Sequence, residues 1–474
     1  MGVALATAII AQTGSCLKPL VRELGVPPTV LRRLAARLPA RYPMLLDSAA
    51  DGPLSRTSVL LAEPRAALWL DADGHLGAEG MVIQGNTFFA ALENWWLAER
   101  EVTRESRSED LPFAGGWAIF LSYEMAQEVE PRLSLPRATL PWRAFALRTP
   151  CALIHDRAHQ RVIAVAEADS ADSLDRLEAD ALRAAEESDA PDAGFRAKSI
   201  QEEDPEAYLE RVRRGKEYVA AGDIYQTNLS RPWHVELDRD PDIAALYNRL
   251  CTTNPAPFAA LAQWRGASII SSSPERLVRV EGRRVDTRPI AGTRPRSRRP
   301  GDDVAEMAAL VEHPKERAEH IMLIDLERND LGRVCEAGTV RVDELMTIES
   351  YAHVHHIVSN VSGVLRADVT PIEALRAVFP GGTITGVPKF RCMQIIAELE
   401  GVGRGAYTGS LGYLDRNGTM DLNILIRTMT LMGRQIEFRA GAGIVADSEP
   451  RRELGETRAK ALGLLAAFEV ARDP

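Results

Sequence analysis

Several protein classes are excluded by what this 474-residue sequence lacks. Cysteine is scarce: Cys16, Cys151, Cys251, Cys335 and Cys392 are an odd, widely scattered set of five. None forms a C-x-x-C pair, so neither a disulfide framework nor a zinc ribbon is indicated, and a reducing, cytoplasmic location is expected. An excess of positive charge is missing too. The chain carries 57 Lys and Arg against 67 Asp and Glu, a net charge of -10, which disfavours a general nucleic-acid or anionic-membrane binder. Its most basic stretch, Arg294 to Arg299, runs at once into Asp302 and Asp303 and reads as a solvated loop. No apolar run reaches the roughly 18 residues of a membrane span. The apolar opening Val3–Ala11 has no preceding Lys or Arg, and Thr13-Gly14-Ser15-Cys16 lacks the leucine of a lipoprotein box, so it reads as a buried segment. Aromatic residues make up only 6%, and Gly (34) and Pro (28) stay near ordinary usage, which excludes collagen-like and broadly disordered chains.

What remains is a globular pattern, 45% hydrophobic and 26% charged, long enough for about three domains or one large two-lobed unit. Residues 1–195 read as one region, with strand-like runs at Val59–Ala62, Ala67–Leu70 and Ala152–Ile154. Helical spacing over Ser170–Glu187 leads into a linker at Asp189–Gly194. Residues 196–474 read as a second region. It opens with an amphipathic helix over Pro205–Ala221 closed by Gly222, followed by a hairpin at Arg276–Val280 and Val285–Thr287. Long helices are predicted over Glu312–Leu331 and Arg451–Val470, and strands at Tyr407–Tyr413, Leu422–Arg427 and Gln435–Arg439. Strands and helices in clumps favour an α+β fold over a doubly wound sheet.

Two pairs of carboxylates stand out. Glu316 and Glu319, and likewise Glu453 and Glu456, lie three residues apart on predicted helices, each pair on one face where like charges repel. They are either solvated surface charge or two faces able to hold a hard divalent cation such as Mg²⁺, with Lys460 one turn further on to neutralise the face or meet an anion. The loop Phe379–Lys389 fails the phosphate-loop pattern, because Val387-Pro388 separates Gly386 from Lys389. It is an ordinary turn, or a turn that aims backbone N–H groups and the hydroxyls of Thr383 and Thr385 at an anion. Gly441-Ala442-Gly443 permits close approach of the backbone. His353, His355 and His356 alternate badly for a three-histidine zinc site on a strand. No G-x-S-x-G elbow occurs and no cysteine sits in a comparable one, so no glutaminase nucleophile is evident. Glu275 follows an apolar strand and reads as a general acid with a raised pKa, or as a partner of Arg276.

Taken together, these segments resemble the chorismate-utilising enzymes. The likeness covers residues 200–474 and rests on Gly222–Ser230 (GDIYQTNLS), Ser273-Pro274-Glu275, Pro289–Arg296 (PIAGTRPR), Glu319–Leu331 (EHIMLIDLERNDL), the Phe379 loop, Ile426-Arg427-Thr428 and Gly441–Ser448 (GAGIVADS). Leu45-Leu46-Asp47-Ser48 is similar to the family's N-terminal Leu-Leu-Glu-Ser segment, which implies a possible regulatory tryptophan site at Ser48. For the fold, the resemblance implies large antiparallel β-sheets packed as a sandwich with helices outside.

For chemistry, the resemblance implies that Glu319 and Glu456 hold Mg²⁺, supported by Glu316 and Glu453, and that the metal meets the ring carboxylate of chorismate. Tyr407, Arg427, Lys460 and the N–H groups of Gly441, Ala442 and Gly443 would receive the enolpyruvyl carboxylate. Glu275 would protonate the departing 4-hydroxyl, while Thr383 and His356 orient the ring. Gln226 replaces the water-activating lysine of the isochorismate and salicylate synthases, which implies ammonia as nucleophile, supplied by a separate glutamine amidotransferase subunit. Asn254–Phe258, His353–Ser359, Phe379–Thr385 and Tyr407–Tyr413 are similar to the aminodeoxychorismate synthase component I branch of the 4-aminobenzoate and folate pathway. Ala291 instead matches anthranilate synthase component I of the tryptophan pathway, because some aminodeoxychorismate synthases carry a lysine there, and the ring position aminated stays open. A catalytically silent ligand-binding subunit is the alternative of another class, opposed by the presence of Glu275, Glu319, Glu456, Arg427 and Lys460.

Overall fold

A computed structural model describes residues 18–101, 111–187, 194–296, 307–308, 314–351 and 354–468. The apolar opening, most of the 189–194 linker, residues 297–299 of the basic stretch, His353 and the side chain of Glu316 lie outside the described residues.

Why apolar runs such as Val59–Ala62 are continuous rather than alternating is explained by two large antiparallel sheets, each buried on both faces. Val59 and Leu61 face the core between the sheets together with Met44, Phe120, Phe145 and Ile269. Leu60 and Ala62 point the other way and pack with Leu34, Leu177 and Leu250 of covering helices. Ala118 and Phe120 likewise face the inner core, while Trp117, Ile119 and Leu121 meet helical residues such as Leu92, Trp95 and Leu375. Successive strand side chains alternate sides, so a strand covered twice reads as one unbroken hydrophobic run. The expected sandwich of antiparallel sheets with helices outside is what the chain forms.

Strand order shows how the two sequence regions join. In the 12-stranded sheet the order is Leu20–Leu24, Arg161–Ala166, Cys151–Asp156, Thr57–Ala62, Met44–Asp47, Phe258–Trp264, Ala267–Ser273, Thr428–Met432, Gln435–Ile444, Gln226–Leu237 and Ala197–Glu202, with Gly386–Val387 added beside Gln226–Leu237. The 11-stranded sheet contains Gly116–Leu121 paired with Ser410–Asp415, which continues through Met420–Asn423 to Arg276–Glu281. Residues before and after position 195 therefore share both sheets.

Local elements follow their sequence signals. The helix Pro205–Ala220 starts with Asp204 accepting from the N–H of Glu206 at 3.1 Å and with proline in its first turn. The chain leaves it through Gly222 at φ +80°, a conformation that glycine reaches without penalty. The Arg276–Glu281 and Arg284–Arg288 hairpin turns at Gly282 as its sequence predicts.

Two predicted strands are shorter than their apolar runs. The Tyr407–Tyr413 run begins as a turn, with Thr408 at φ +62°, and becomes a strand only at Ser410. Leu422–Arg427 is not one strand. Met420–Asn423 ends in the 11-stranded sheet, residues 424–427 cross over, and Thr428–Met432 enters the other sheet. A crossing buried inside a sandwich must be as apolar as the strands it joins, so composition does not reveal the break.

The same crossing occurs next to it in reverse. Ala267–Ser273 leaves the 12-stranded sheet and, after Pro274 and Glu275, continues as Arg276–Glu281 in the other. Backbone bonds tie the two crossings: the N–H of Ile424 donates to the carbonyl of Glu275 at 3.0 Å, and that of Ser272 to the carbonyl of Arg427 at 3.1 Å. Glu275 and Arg427 are thereby placed at one end of the sandwich.

Candidate active site

Glu275 is 4% exposed, and its Oε1 accepts a hydrogen bond from the Thr383 hydroxyl at 2.8 Å. Burial pushes its pKa up to about 8, with the nearby carboxyl of Glu327 acting in the same direction against the hydroxyl of Thr383 and the positive charge of Lys460. The group is a protonated acid at neutral pH. Arg276 is not its partner, because that guanidinium makes a two-pronged pair with Asp421, 2.8 Å on each side.

Arg427, held at φ +52°, is bonded through its carbonyl to Ser272 and lies near enough to Glu275 to feel its charge. Burial lowers its pKa and the charge of Glu275 opposes that shift. The strand Val354–Val364 brings His355 and His356 alongside, both buried. Burial, reinforced by the charge of Arg427, pushes His356 down to about 3, so it is a neutral imidazole. The ring of Tyr351 lies 5.9 Å from it. His355 instead hydrogen-bonds Ser350 through Nδ1 at 2.7 Å.

The turn after Phe379 divides the duties of its two threonines. Thr383 reaches Glu275, whereas the Thr385 hydroxyl donates back to the carbonyls of Gly381 and Gly382 at 3.0 and 3.2 Å. Lys389 opens the next helix and pairs with Asp330, while its Nζ also donates to the carbonyl of Pro380 at 2.8 Å. It braces the turn.

A second group of side chains gathers at the end of the Gln435–Ile444 strand. This strand pairs Gly443 with Asn228 and Gly441 with Ser230. The Nε2 of Gln226 donates to Oε1 of Glu319 at 3.1 Å, and among the described residues its own Oε1 has no hydrogen-bond partner. A Cβ on Gly443 would stand 2.5 Å from Gln226 Nε2 and 3.4 Å from Glu319 Oε1, and one on Gly441 would stand 2.7 Å from the Tyr407 hydroxyl. Burial raises the Tyr407 pKa to about 12, which leaves it a neutral donor. Lys460 donates to the carbonyl of Gly441 at 2.9 Å and forms an ion pair with Glu456 at 2.7 Å, one helical turn away.

Glu319 thus approaches Gly443 from the helix Pro314–Gly332, while Lys460 ties the helix Pro450–Leu465 to Gly441. Glu453 is buried at 7% exposure and Glu456 is more open. Oxygen-only donors of this kind suit a hard cation that keeps part of its water shell. Among the described residues, a closed group of three ligand side chains within 4.8 Å occurs only at Asp71, Asp73 and His75, a turn with two exposed members.

Two supporting residues, Glu400 and Arg404, had no signal in the sequence. Glu400, fully buried, accepts from the Nη2 of Arg404 at 2.6 Å and of Arg439 at 2.9 Å, and from the N–H and hydroxyl of Ser230 at 2.8 and 2.9 Å. The two guanidiniums overcome the burial penalty and hold its pKa at about 2. Arg404 also lies over the rings of Tyr123 and Tyr407, at 4.9 and 5.5 Å. Tyr208 is buried, its hydroxyl donating to the carbonyl of Leu229 at 3.3 Å.

Ser48 is distant in sequence and follows the strand Met44–Asp47, whose Asp47 pairs with Ala259, which in turn pairs with Ser272. The Ser48 hydroxyl donates to the carbonyl of Thr57 at 2.8 Å, and the N–H groups of Ala49 and Ala50 donate to the carbonyl of Ala256. Ala291 is buried on the strand Ile290–Pro295 opposite Ile357 and places no amine there.

Comparison with known proteins assigns this arrangement to a class. Residues 55–466 match the chorismate binding enzyme family, and the chain belongs to the chorismate-utilising enzymes. It is 39% identical over 464 residues to anthranilate synthase component 1 of Thermus thermophilus, covering 96% of this chain and 97% of that protein. It is 37% identical over 450 residues to aminodeoxychorismate synthase component 1 of Bacillus subtilis, covering 91% and 93%. Among solved structures, anthranilate synthase component I of Streptococcus pneumoniae superposes with a TM-score of 0.76 at 31% identity, over 86% of this chain and 92% of that one.

Proposed function

We propose that the protein aminates chorismate at position 4 with ammonia from a partner glutamine amidotransferase, as an aminodeoxychorismate synthase component I. The observation that carries the amination is the pairing of a buried, protonated Glu275 with a Gln226 that brings no base to the nucleophile's side. Hydroxide is a poor leaving group, and a neutral carboxyl beside the ring gives the departing 4-hydroxyl its proton. A glutamine amide cannot deprotonate water, whereas its unpaired Oε1 accepts a hydrogen bond from ammonia.

Arg427, Lys460 and the hydroxyl of Tyr407 supply the positive potential that a dianionic substrate needs in an acidic protein. Thr383 orients the acid, and neutral His356 lines the ring without adding charge. Glu319 and Glu456, with Glu316 and Glu453 in support, would hold Mg²⁺, which when bound neutralises the ring carboxylate.

The assignment to position 4 rests on Asn254–Phe258 and Tyr407–Tyr413, which are similar to the aminodeoxychorismate branch. Ala291 favours a second reading, anthranilate synthase component I, since no amine stands at that position to attack the ring. The two separate in one assay with chorismate, Mg²⁺ and ammonium. A product that yields 4-aminobenzoate only after the lyase is added supports the first reading. Direct appearance of fluorescent anthranilate supports the second, and failure to consume chorismate overturns both.

A further inference from the structure

Glu327 is buried at 5% exposure on the helix Pro314–Gly332, two turns beyond Glu319. The family likeness gives it no role. Its Oε1 lies 3.1 Å from the position a Cβ on Gly382 would take, immediately before the Thr383 that donates to Glu275. The two carboxyls meet the same turn. Glu327 lies against the backbone of Gly382, while Glu275 accepts from the hydroxyl of Thr383.

We propose that Glu327 is a positioning residue for the acid step, its carboxylate opposing ionisation of Glu275 and fixing the turn that delivers the Thr383 hydroxyl. The proposal rests on the reading of Glu275 as the proton donor.

The charges around the pair give the direction of the effect. Glu275 is faced by Arg427 and Lys460, both of which favour its ionised form, and by Glu327, which opposes it. Glu327 is faced by Asp330 on its own helix and by Lys389 from the helix Lys389–Glu400. Burial and the neighbouring Asp330 raise its pKa, and Lys389 pulls it back. Lys389 is itself committed to Asp330 and to two backbone carbonyls, so it does not neutralise Glu327 alone. A carboxylate that ionises beside Glu275 makes a second negative charge in the same buried space unfavourable. Glu275 then keeps its proton to higher pH, against two nearby cations.

The test is the pH dependence of kcat/KM for chorismate, with Mg²⁺ and a constant concentration of free ammonia, in the full-length wild type, Glu327→Gln and Glu327→Leu. Both substitutions fill the same volume without the charge, so a folding defect in one leaves the other. The alkaline limb is expected to move down by about one pH unit, with kcat/KM falling about tenfold at pH 8.5 and less than about twofold at pH 6.5. Glu327→Asp should restore most of the limb, and KM should change little. An unchanged limb, or an equal loss at every pH, overturns the proposal. If the wild type consumes no chorismate, the underlying reading of the site fails instead, which is a different result from an active wild type with unshifted variants.

Discussion

Glu275 shows how one side chain can favour activity at the expense of stability. Its folded pKa is about 8, above the ordinary carboxyl value. Between those two values the unfolded chain has released a proton that the folded chain keeps. Its contribution to stability is therefore complete below the unfolded pKa and is lost as pH rises through about 8. Glutamine cannot ionise, so Glu275→Gln should melt at a higher temperature than the wild type above that pH, with little advantage at pH 4. The same variant cannot give up a proton and should lose about 10²–10⁴-fold in kcat. Melting curves at pH 4, 6 and 9, read beside turnover, check both halves. A variant that loses turnover without gaining alkaline stability would show that Glu275 is not buried as an acid.

At the scale of elements, the site forms where strands change sheets and where glycine lets them approach. Gly443→Ala would press a methyl into the flexible end of Gln226, which can swing aside. It should cost little stability and much activity, because Gln226 would leave Glu319. Gly441→Ala meets the backbone carbonyl of Leu229 at 2.7 Å, which cannot swing, so it should lower the melting temperature as well. Turnover and thermal denaturation of the two variants separate these outcomes. Beneath both glycines, Glu400 ties the strand Gln226–Leu237 and the helix Lys389–Glu400 to Arg404 and Arg439. Glu400→Gln leaves two guanidiniums buried without their anion and should cost about 3–5 kcal/mol. Its folded pKa is held at about 2, so the wild-type contribution is present above the ordinary carboxyl range and is lost as pH falls toward 2. The gap in stability between wild type and variant should accordingly narrow in acid, which denaturant titrations at pH 7 and pH 3 would detect.

Legibility also differs by element. The helix end and the hairpin were readable because turn glycines act locally, as at Gly222 and Gly282. Glu275, Gln226 and Arg427 could be named because they lie in short distinctive runs. The crossings at 424–427 and the start of the 407–413 turn were not readable, since a buried connection is as apolar as a strand. Glu400 and Arg404 were silent for another reason. Their meaning lies in partners many residues away, such as Ser230 and Arg439 for Glu400, and no spacing along the chain records those pairings.

For the whole molecule, the decisive fact is that the split near residue 195 does not divide the sheets. Met44–Asp47 pairs with Phe258–Trp264, and Gly116–Leu121 pairs with Ser410–Asp415 along six residue pairs. The inner core draws Phe120, Phe145 and Ile154 from one side of the split and Ile269, Leu411 and Leu425 from the other. A chain of residues 196–474 carries every proposed catalytic side chain, yet it would expose the backbone edges of Phe258–Trp264 and Ser410–Asp415. It would also uncover one wall of the inner core. Unpaired apolar edges are templates for association, so this fragment should aggregate or remain a loosely packed state that binds the dye ANS. Co-expression with a separate chain of residues 1–195 should restore solubility, because the missing strands need only pair and need not be covalently joined. Gel filtration and near-ultraviolet circular dichroism of the fragment, alone and co-expressed, provide the check. A fragment that is monodisperse and natively packed by itself would mean that helices and loops seal those edges without the first region, and the shared sheets would then be a docking arrangement rather than a condition for folding.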